Sequence, residues 1–109
     1  MIYVSGRIDQ TRLDHYRSQF LQAKEYLENE VRIYEDKSVV TLWEDLDVVR
    51  DEVGLPFFVM KDELEMRVAR VLACEKLYLL IGWEMDDMCR LEHTYAKAYG
   101  KRIIYSRKF

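Results

Sequence analysis

The stretch Leu77-Tyr78-Leu79-Leu80-Ile81 decides the fold class. It is apolar at every position instead of alternating, which is typical of a strand that helices cover on both faces. A helical pattern follows from about residue 87 to 99 and ends at Gly100, a residue type that favours helix termination. Arg102-Ile103-Ile104-Tyr105 then predicts another strand. A strand, a helix and a strand in this order predict a parallel pair joined by a right-handed crossover.

The rest of the chain repeats this alternation. Ile2-Tyr3-Val4-Ser5 predicts a first strand, and the alternating residues 31–34 predict a second. Apolar residues at helical spacing predict three more helices, at about residues 10–28, 42–53 and 61–74. Pro56 excludes a helix interior, so we expect residues 55–60 to form a loop or a short extended segment.

Strands that alternate with helices predict a three-layer α/β fold, flavodoxin- or Rossmann-like, in which helices flank a parallel sheet of four or five strands. In so small a sheet we expect the first strand to lie between the second strand and the strand at residues 77–81. The sheet order reverses there, so a ligand crevice is expected beyond the carboxyl ends of the first and third strands. Two loops, residues 5–9 and 82–87, would converge on this crevice.

Length and charge narrow the classes of function. The chain has 109 residues, half of them apolar, with 17 Lys+Arg against 20 Asp+Glu. This predicts a single domain over residues 1–109 and gives no basic footprint for duplex nucleic acid. The longest apolar run is far too short to cross a membrane, and the first residues carry no charged leader, so we expect a cytoplasmic protein. Two His and two Cys fit neither a disulfide framework nor a zinc site, and we expect no metal or other cofactor.

Acidic residues at the crevice are the candidates for chemistry. Asp86 and Asp87 begin the helix after the third strand, where helix capping is the alternative explanation for both. Glu92 follows in the second turn, near the buried side of that helix. A carboxylate there is a candidate nucleophile or general base, and a solvated helix residue is the alternative. Tyr3 is a core residue in the simplest interpretation, with a hydroxyl that needs a partner at the strand end.

Other residues around the crevice are expected to contact a ligand. The side chain of Arg7 would suit a 5′-phosphate, because arginine can bind phosphate with two parallel hydrogen bonds. Cys89 is interpreted as a buried bystander and His93 as a solvated helix residue. The residues expected to bind substrate are Ser5, Gly6, Arg7, Gly82, Trp83 and Met88.

Both ends of the chain resemble a known family. The segment from Leu79 to Glu92, followed by Ala96, Gly100 and Tyr105, resembles the signature LLPGWExSxGAxxExxxAxxxGxxIxY of small phage and bacterial proteins of unknown function. The opening IYVSGRI is similar to that family's IYISGKI start. The chain is thereby identified as a member of the nucleoside 2-deoxyribosyltransferase-like superfamily.

This resemblance implies transfer or hydrolysis of the N-glycosidic bond of a 2′-deoxynucleoside or deoxynucleotide. Glu92 matches the superfamily's nucleophile, Asp86 its acid/base residue, and Tyr3 the tyrosine whose hydroxyl places the glutamate. Glu92 would attack C1′, expel the base and form a covalent deoxyribosyl ester, following the logic of retaining glycosidases. Superfamily members complete their sites with a neighbouring subunit. The resemblance therefore implies a homo-oligomer, with residues 105–109 available for that contact.

Departures from the family pattern keep a second class of function open. Arg67 stands where the family has an aspartate that holds the sugar hydroxyls. Met88-Cys89 replaces a Gly-Ala pair that lets substrate approach the start of the helix, and an asparagine-proline pair after the second strand is missing. These differences favour the alternative: a catalytically inactive module of the same fold that binds a nucleotide or a protein.

Overall fold

Four parallel strands form the sheet in the part of the chain that the structure describes. The computed structural model describes residues 1–29, 38–44 and 60–109. Its strands are β1 (Ile2–Ser5), β2 (Val39–Thr41), β3 (Lys76–Leu79) and β4 (Arg102–Tyr105). They lie in the order β2-β1-β3-β4, and every pair is parallel. The predicted parallel sheet and the central position of its first strand are therefore confirmed.

Helices connect the strands and cover the sheet. Within the described ranges they include α1 (Leu13–Asn29), α2 (Met60–Ala73) and α3 (Asp87–Ala98). Helix α1 packs on β1 and β2, whereas α3 packs on β3, β4 and α2. Right-handed crossovers put α1 on one face of the sheet and α2 with α3 on the other, which gives the predicted three-layer α/β fold. A 3₁₀ turn at Gln10–Arg12 precedes α1, so the α-helix itself begins later than predicted.

The strand beside β1 differs from the one that the sequence pattern predicts. Val39–Thr41 pairs with the first three residues of β1. The predicted strand at residues 31–34 lies outside the described residues, as do the predicted loop before residue 60 and most of the helix predicted over 42–53. Residues 42–44 are helical, in agreement with the predicted start of that helix.

The core lies on both faces of the central strands. Strand β1 is buried along its whole length, and Phe20, Ala23 and Leu27 cover it from one side of α1. The polar or charged residues buried in the described ranges are Ser5, Thr41, Arg67 and Glu92. Among the helices of these ranges, none combines the length and apolar composition that a membrane crossing needs.

Candidate active site

A close approach between two chain segments forms the floor of the predicted crevice. Gly6 follows β1, and the backbone N–H of Leu80 donates to the carbonyl oxygen of Ser5 at 2.9 Å. A Cβ atom on Gly6 would lie 2.9 Å from the Leu80 Cβ, which is too short for any side chain. Glycine therefore lets the carboxyl ends of β1 and β3 continue side by side.

The chain then turns into α3 at Gly82, whose φ of 96° lies in the left-handed region that glycine tolerates. After a 3₁₀ turn, Asp86 is the N-cap of α3. Its Oδ1 accepts hydrogen bonds from the backbone N–H groups of Met88 at 2.9 Å and Cys89 at 3.1 Å. The capping interpretation of Asp86 is thus confirmed. Its proposed acid/base role stays a prediction.

Glu92 lies on the buried side of α3, where side chains from two other elements meet its carboxylate. The Ser5 hydroxyl donates to Oε1 at 2.6 Å, and Nη1 of Arg67 donates to the same oxygen at 2.6 Å. The side chains of Arg67 and Glu92 are each 1% exposed. The interpretation of Glu92 as a solvated helix residue is therefore wrong. Ser5, predicted to bind substrate, uses its hydroxyl inside the protein.

Tyr3 approaches the same carboxylate from β1. In the described part of the chain, neither the Tyr3 hydroxyl nor Oε2 of Glu92 makes a hydrogen bond of normal geometry. The two groups are nevertheless close enough for each to shift the pKa of the other. Burial, and secondly the charge of Glu92, raises the pKa of Tyr3 well above its ordinary value. Oε1 of Glu92 thus accepts two hydrogen bonds, while Oε2 makes none of normal geometry and the Tyr3 hydroxyl lies close to the carboxylate.

Burial dominates the electrostatics of this cluster. It raises the pKa of Glu92, because an ionised carboxylate loses its hydration, while the positive charge of Arg67 opposes the shift. Burial also raises the pKa of the Cys89 thiol, and the charge of Glu92 adds to the effect. Cys89 is therefore a buried bystander, as predicted, and not a reactive thiolate. The described residues contain no group of three or more His, Cys, Asp or Glu side chains placed to hold a metal ion.

Sequence reasoning noticed Arg67 only as a departure from the family pattern. The predicted apolar stripe of α2 comprises Leu64, Val68, Val71 and Leu72. Among residues 64–73, however, the buried side chains are Arg67 and Val71, with Cys74 just beyond the end of the helix. These three positions follow helical spacing, so Arg67 belongs to the buried face. Because arginine is rarely buried without a partner, its helical spacing with Val71 and Cys74 predicts that Arg67 pairs with a buried anionic group.

Other predicted binding residues lie around the cluster. Arg7 and Met88 are half-buried in or next to the two loops. Trp83 stacks on the ring of His93 at 4.5 Å between centroids and lies 5.7 Å from Tyr105. The Trp83 ring therefore contacts α3 and β4.

The interpretation of His93 as a solvated residue is corrected by these contacts. Its ring stacks on Trp83, and its Nε2 lies 2.7 Å from the Tyr105 hydroxyl. Partial burial, and then the charge of Lys97, lowers the pKa of His93. The lowered pKa favours a neutral imidazole for His93, which lies in an aromatic cluster with Trp83 and Tyr105.

The segment after β4 folds back on its own chain. The Phe109 ring lies 5.6 Å from that of Tyr26. Its carbonyl oxygen accepts hydrogen bonds from the backbone of Ile81 at 3.0 Å and from the Gln19 side chain at 2.7 Å. Phe109 thus has an intramolecular position. The contribution of this segment to a neighbouring subunit stays a prediction.

Comparison with family models matches residues 1–105 to the model described as "Domain of unknown function (DUF4406)". Comparison with curated proteins and with solved structures gives no match. The matched region includes every member of the cluster formed by Tyr3, Ser5, Arg67 and Glu92.

Proposed function

The chain belongs to the family described as Domain of unknown function (DUF4406), and we propose that it cleaves the N-glycosidic bond of a 2′-deoxynucleoside or deoxynucleotide. The observation that carries the proposal is the unequal use of the two Glu92 oxygens. Oε1 accepts hydrogen bonds from Ser5 and Arg67 at 2.6 Å each, whereas Oε2 has no partner in the described part of the chain. A carboxylate held through one oxygen keeps the other for attack on carbon.

A glutamate nucleophile must be ionised at the pH of the reaction. Burial disfavours the ionised form of Glu92, and the guanidinium of Arg67 at 2.6 Å stabilises it. Tyr3 and Cys89 also interact with this carboxylate, but burial raises the pKa of both and keeps them neutral. The ion pair with Arg67 at 2.6 Å supports a negative charge on Glu92, while burial still raises the pKa of this carboxyl.

In the proposed reaction, Oε2 of Glu92 attacks C1′ of the deoxyribosyl group as the C1′–N bond breaks. The leaving base keeps the electron pair of that bond and takes a proton from Asp86, and a deoxyribosyl ester of Glu92 forms. Water or a second base then attacks C1′ and gives a proton to Asp86, while the electron pair of the ester bond returns to Glu92. Oδ1 of Asp86 caps α3, so Oδ2 is the oxygen proposed for proton transfer.

Substrate has to reach a side chain that is 1% exposed. The proposed reaction therefore requires the residues around the cluster to move when substrate binds, as in enzymes whose loops open and close over the reacting groups. Gly6 and Gly82 border the cluster in the two loops that converge on it.

The buried ion pair favours a second candidate function. Arg67 satisfies Oε1 of Glu92 from within the protein, which is also what a purely structural pair would do. Arg67 occupies the position where the family resemblance implies a carboxylate for the sugar hydroxyls. The second candidate is accordingly a module of this fold that binds a nucleotide or a protein without turnover.

The test is a chromatographic assay for base release and base exchange. Its substrates are a panel of 2′-deoxynucleosides and their 5′-monophosphates, incubated with wild-type protein, Glu92→Gln, and the control Glu28→Gln, which alters an exposed acid on α1. We expect turnover by the wild type and the control, and its loss in Glu92→Gln. Circular dichroism establishes that all three proteins are folded.

A second measurement tests the covalent step. A 2′-fluoroarabinosyl nucleoside slows breakdown of a glycosyl ester, because fluorine destabilises the positive charge that develops at C1′. Intact-mass spectrometry should then show a sugar adduct on the wild type and none on Glu92→Gln. Folded wild-type protein with neither turnover nor adduct on any substrate would contradict the enzymatic proposal and favour the binding module.

A further inference from the structure

We propose that Arg67 is a positioning residue for this reaction: its guanidinium holds the Glu92 carboxylate so that Oε2 is the oxygen that attacks C1′. The inference rests on the proposed function. Arg67 stands where the family pattern has an aspartate, and positioning of Glu92 is the role proposed for this difference.

The contacts of Arg67 join three elements at one point. From α2, its Nη1 donates to Oε1 of Glu92 on α3 at 2.6 Å. The same nitrogen lies 3.5 Å from the Ser5 hydroxyl at the end of β1 and 3.8 Å from the Cys89 sulfur. Arg67 is the largest fully buried side chain among the described residues. Arginine is almost never fully buried unless it is paired, and the ion pair with Glu92 at 2.6 Å is such a pairing.

Stability alone does not explain such a pair. Both ions lose their hydration, and well-packed apolar residues of similar volume are often as stable as a buried ion pair or more stable. The neighbouring buried positions Val71 and Cys74 are apolar, so a nonpolar residue at position 67 would continue the same face. The pair instead defines the charge and the orientation of one carboxylate.

Among the described groups that interact with Glu92, Arg67 is the one that carries a positive charge. From β1 these groups are Tyr3 and Ser5, from α3 Cys89, and from α2 Arg67 itself, with Cys74 just beyond the end of α2. Burial raises the pKa of Cys74 as well, so its thiol is neutral. Burial keeps Tyr3 and Cys89 neutral, and a serine hydroxyl carries no charge. In the described part of the cluster, Arg67 is therefore the cation that favours the ionised form of Glu92.

The shape of the guanidinium adds orientation to charge. A planar group with fixed N–H directions restricts rotation of the carboxylate it binds, whereas an ammonium on a flexible stem supplies charge with little direction. Arg67→Lys should therefore preserve ionisation of Glu92 and lose much of its orientation. Arg67→Met should lose both.

The experiment combines a titration with kinetics on the full chain. Carboxyl ¹³C NMR of glutamate-labelled protein follows Glu92, whose signal is assigned as the one missing in Glu92→Gln. Relative to the wild type, we expect Glu92 to titrate at least about one pH unit higher in Arg67→Met. In Arg67→Lys it should titrate near the wild-type pH, while kcat falls more than about tenfold and KM stays similar. The control Arg70→Met, one turn along α2, should leave the Glu92 titration unchanged.

The outcomes separate the two proposals. Wild-type turnover with the same Glu92 titration in Arg67→Met, or with wild-type kcat in Arg67→Lys, would overturn the positioning role alone. Absence of wild-type turnover would overturn the proposed function and this inference with it. If Arg67→Met does not fold, the kcat of Arg67→Lys decides.

Discussion

A double-mutant cycle on Arg67 and Glu92 tests the energetics of the buried pair. At 2.6 Å and an effective dielectric constant of about 20, two unit charges attract by about 6 kcal/mol. Desolvation of two ions that are each 1% exposed cancels most of this. Removing one partner strands the other, so we expect Arg67→Met and Glu92→Gln each to lower the free energy of unfolding by about 3–5 kcal/mol. The double variant should lose much less than the sum, with a coupling energy of about 3 kcal/mol or more.

The pH dependence of the free energy of unfolding gives a second, independent test of the buried pair. Without Arg67, burial raises the pKa of Glu92 further above its unfolded value, so the folded protein binds more protons than the unfolded chain between the two values. Its stability is then fully present below the unfolded pKa and falls as pH rises toward the folded pKa, by at most about 1.4 kcal/mol per pH unit. The loss caused by Arg67→Met should accordingly be smallest in acid.

Chemical denaturation measured by circular dichroism at several pH values gives all four free energies. A matched cycle on the exposed pair Asp87 and Arg90, on the same helix as Glu92, is the control and should show coupling near zero. Additive losses from Arg67→Met and Glu92→Gln, or a loss that does not change with pH, would refute a charged, desolvated pair.

Three further predictions concern the frame of the cluster. Gly6→Ala should lower the free energy of unfolding by about 1–3 kcal/mol, because its Cβ would lie 2.9 Å from that of Leu80; an unchanged denaturation midpoint would contradict this close packing. Asp86→Ala should cost about 1 kcal/mol in the same assay through loss of the α3 N-cap, and a neutral effect would mean that the cap is dispensable. Lys97→Gln should raise the pKa of His93 in an NMR titration of the imidazole, because the Lys97 charge lowers it; an unchanged titration would leave burial as the sole cause.

The order of the sheet followed from the sequence because hydrophobic pattern and helix termini agree there. The unbroken apolar run at 77–81, which contains most of β3, the helix ending near Gly100 and the strand at 102–105 each indicate the same α/β unit. The strand next to β1 was harder to predict. An alternating stretch at 31–34 was preferred, although Val39-Val40-Thr41 is three β-branched residues in a row, a strand signal that its short length concealed.

The location of the candidate site could be predicted from the sequence, whereas the contacts that determine its chemistry could be predicted only in part. The topology of the sheet brings the end of β1 and the start of α3 together, which is why Tyr3 lies near Glu92, as the family resemblance implies, and why Ser5, predicted to bind substrate, donates to Glu92 instead. One of the hydrogen bonds to Oε1 of Glu92 comes from Arg67 on α2. This helix was not among the elements predicted to border the crevice. Helical spacing with Val71 and Cys74 is enough to predict that Arg67 is buried, but local periodicity does not identify its partner on α3.

The two candidate functions predict different properties for the double variant that replaces both Arg67 and Glu92. If the pair formed by Arg67 and Glu92 is only structural, the double variant that removes both charges should keep its fold and its ligand binding alike, since neither ion of the pair is then left buried without the other. If Glu92 is the nucleophile, the same variant should be folded and without turnover, because the attacking oxygen is gone while the core is intact. A stable, inactive double variant of an active wild type therefore separates the chemistry of Glu92 from its packing, which neither single substitution can do.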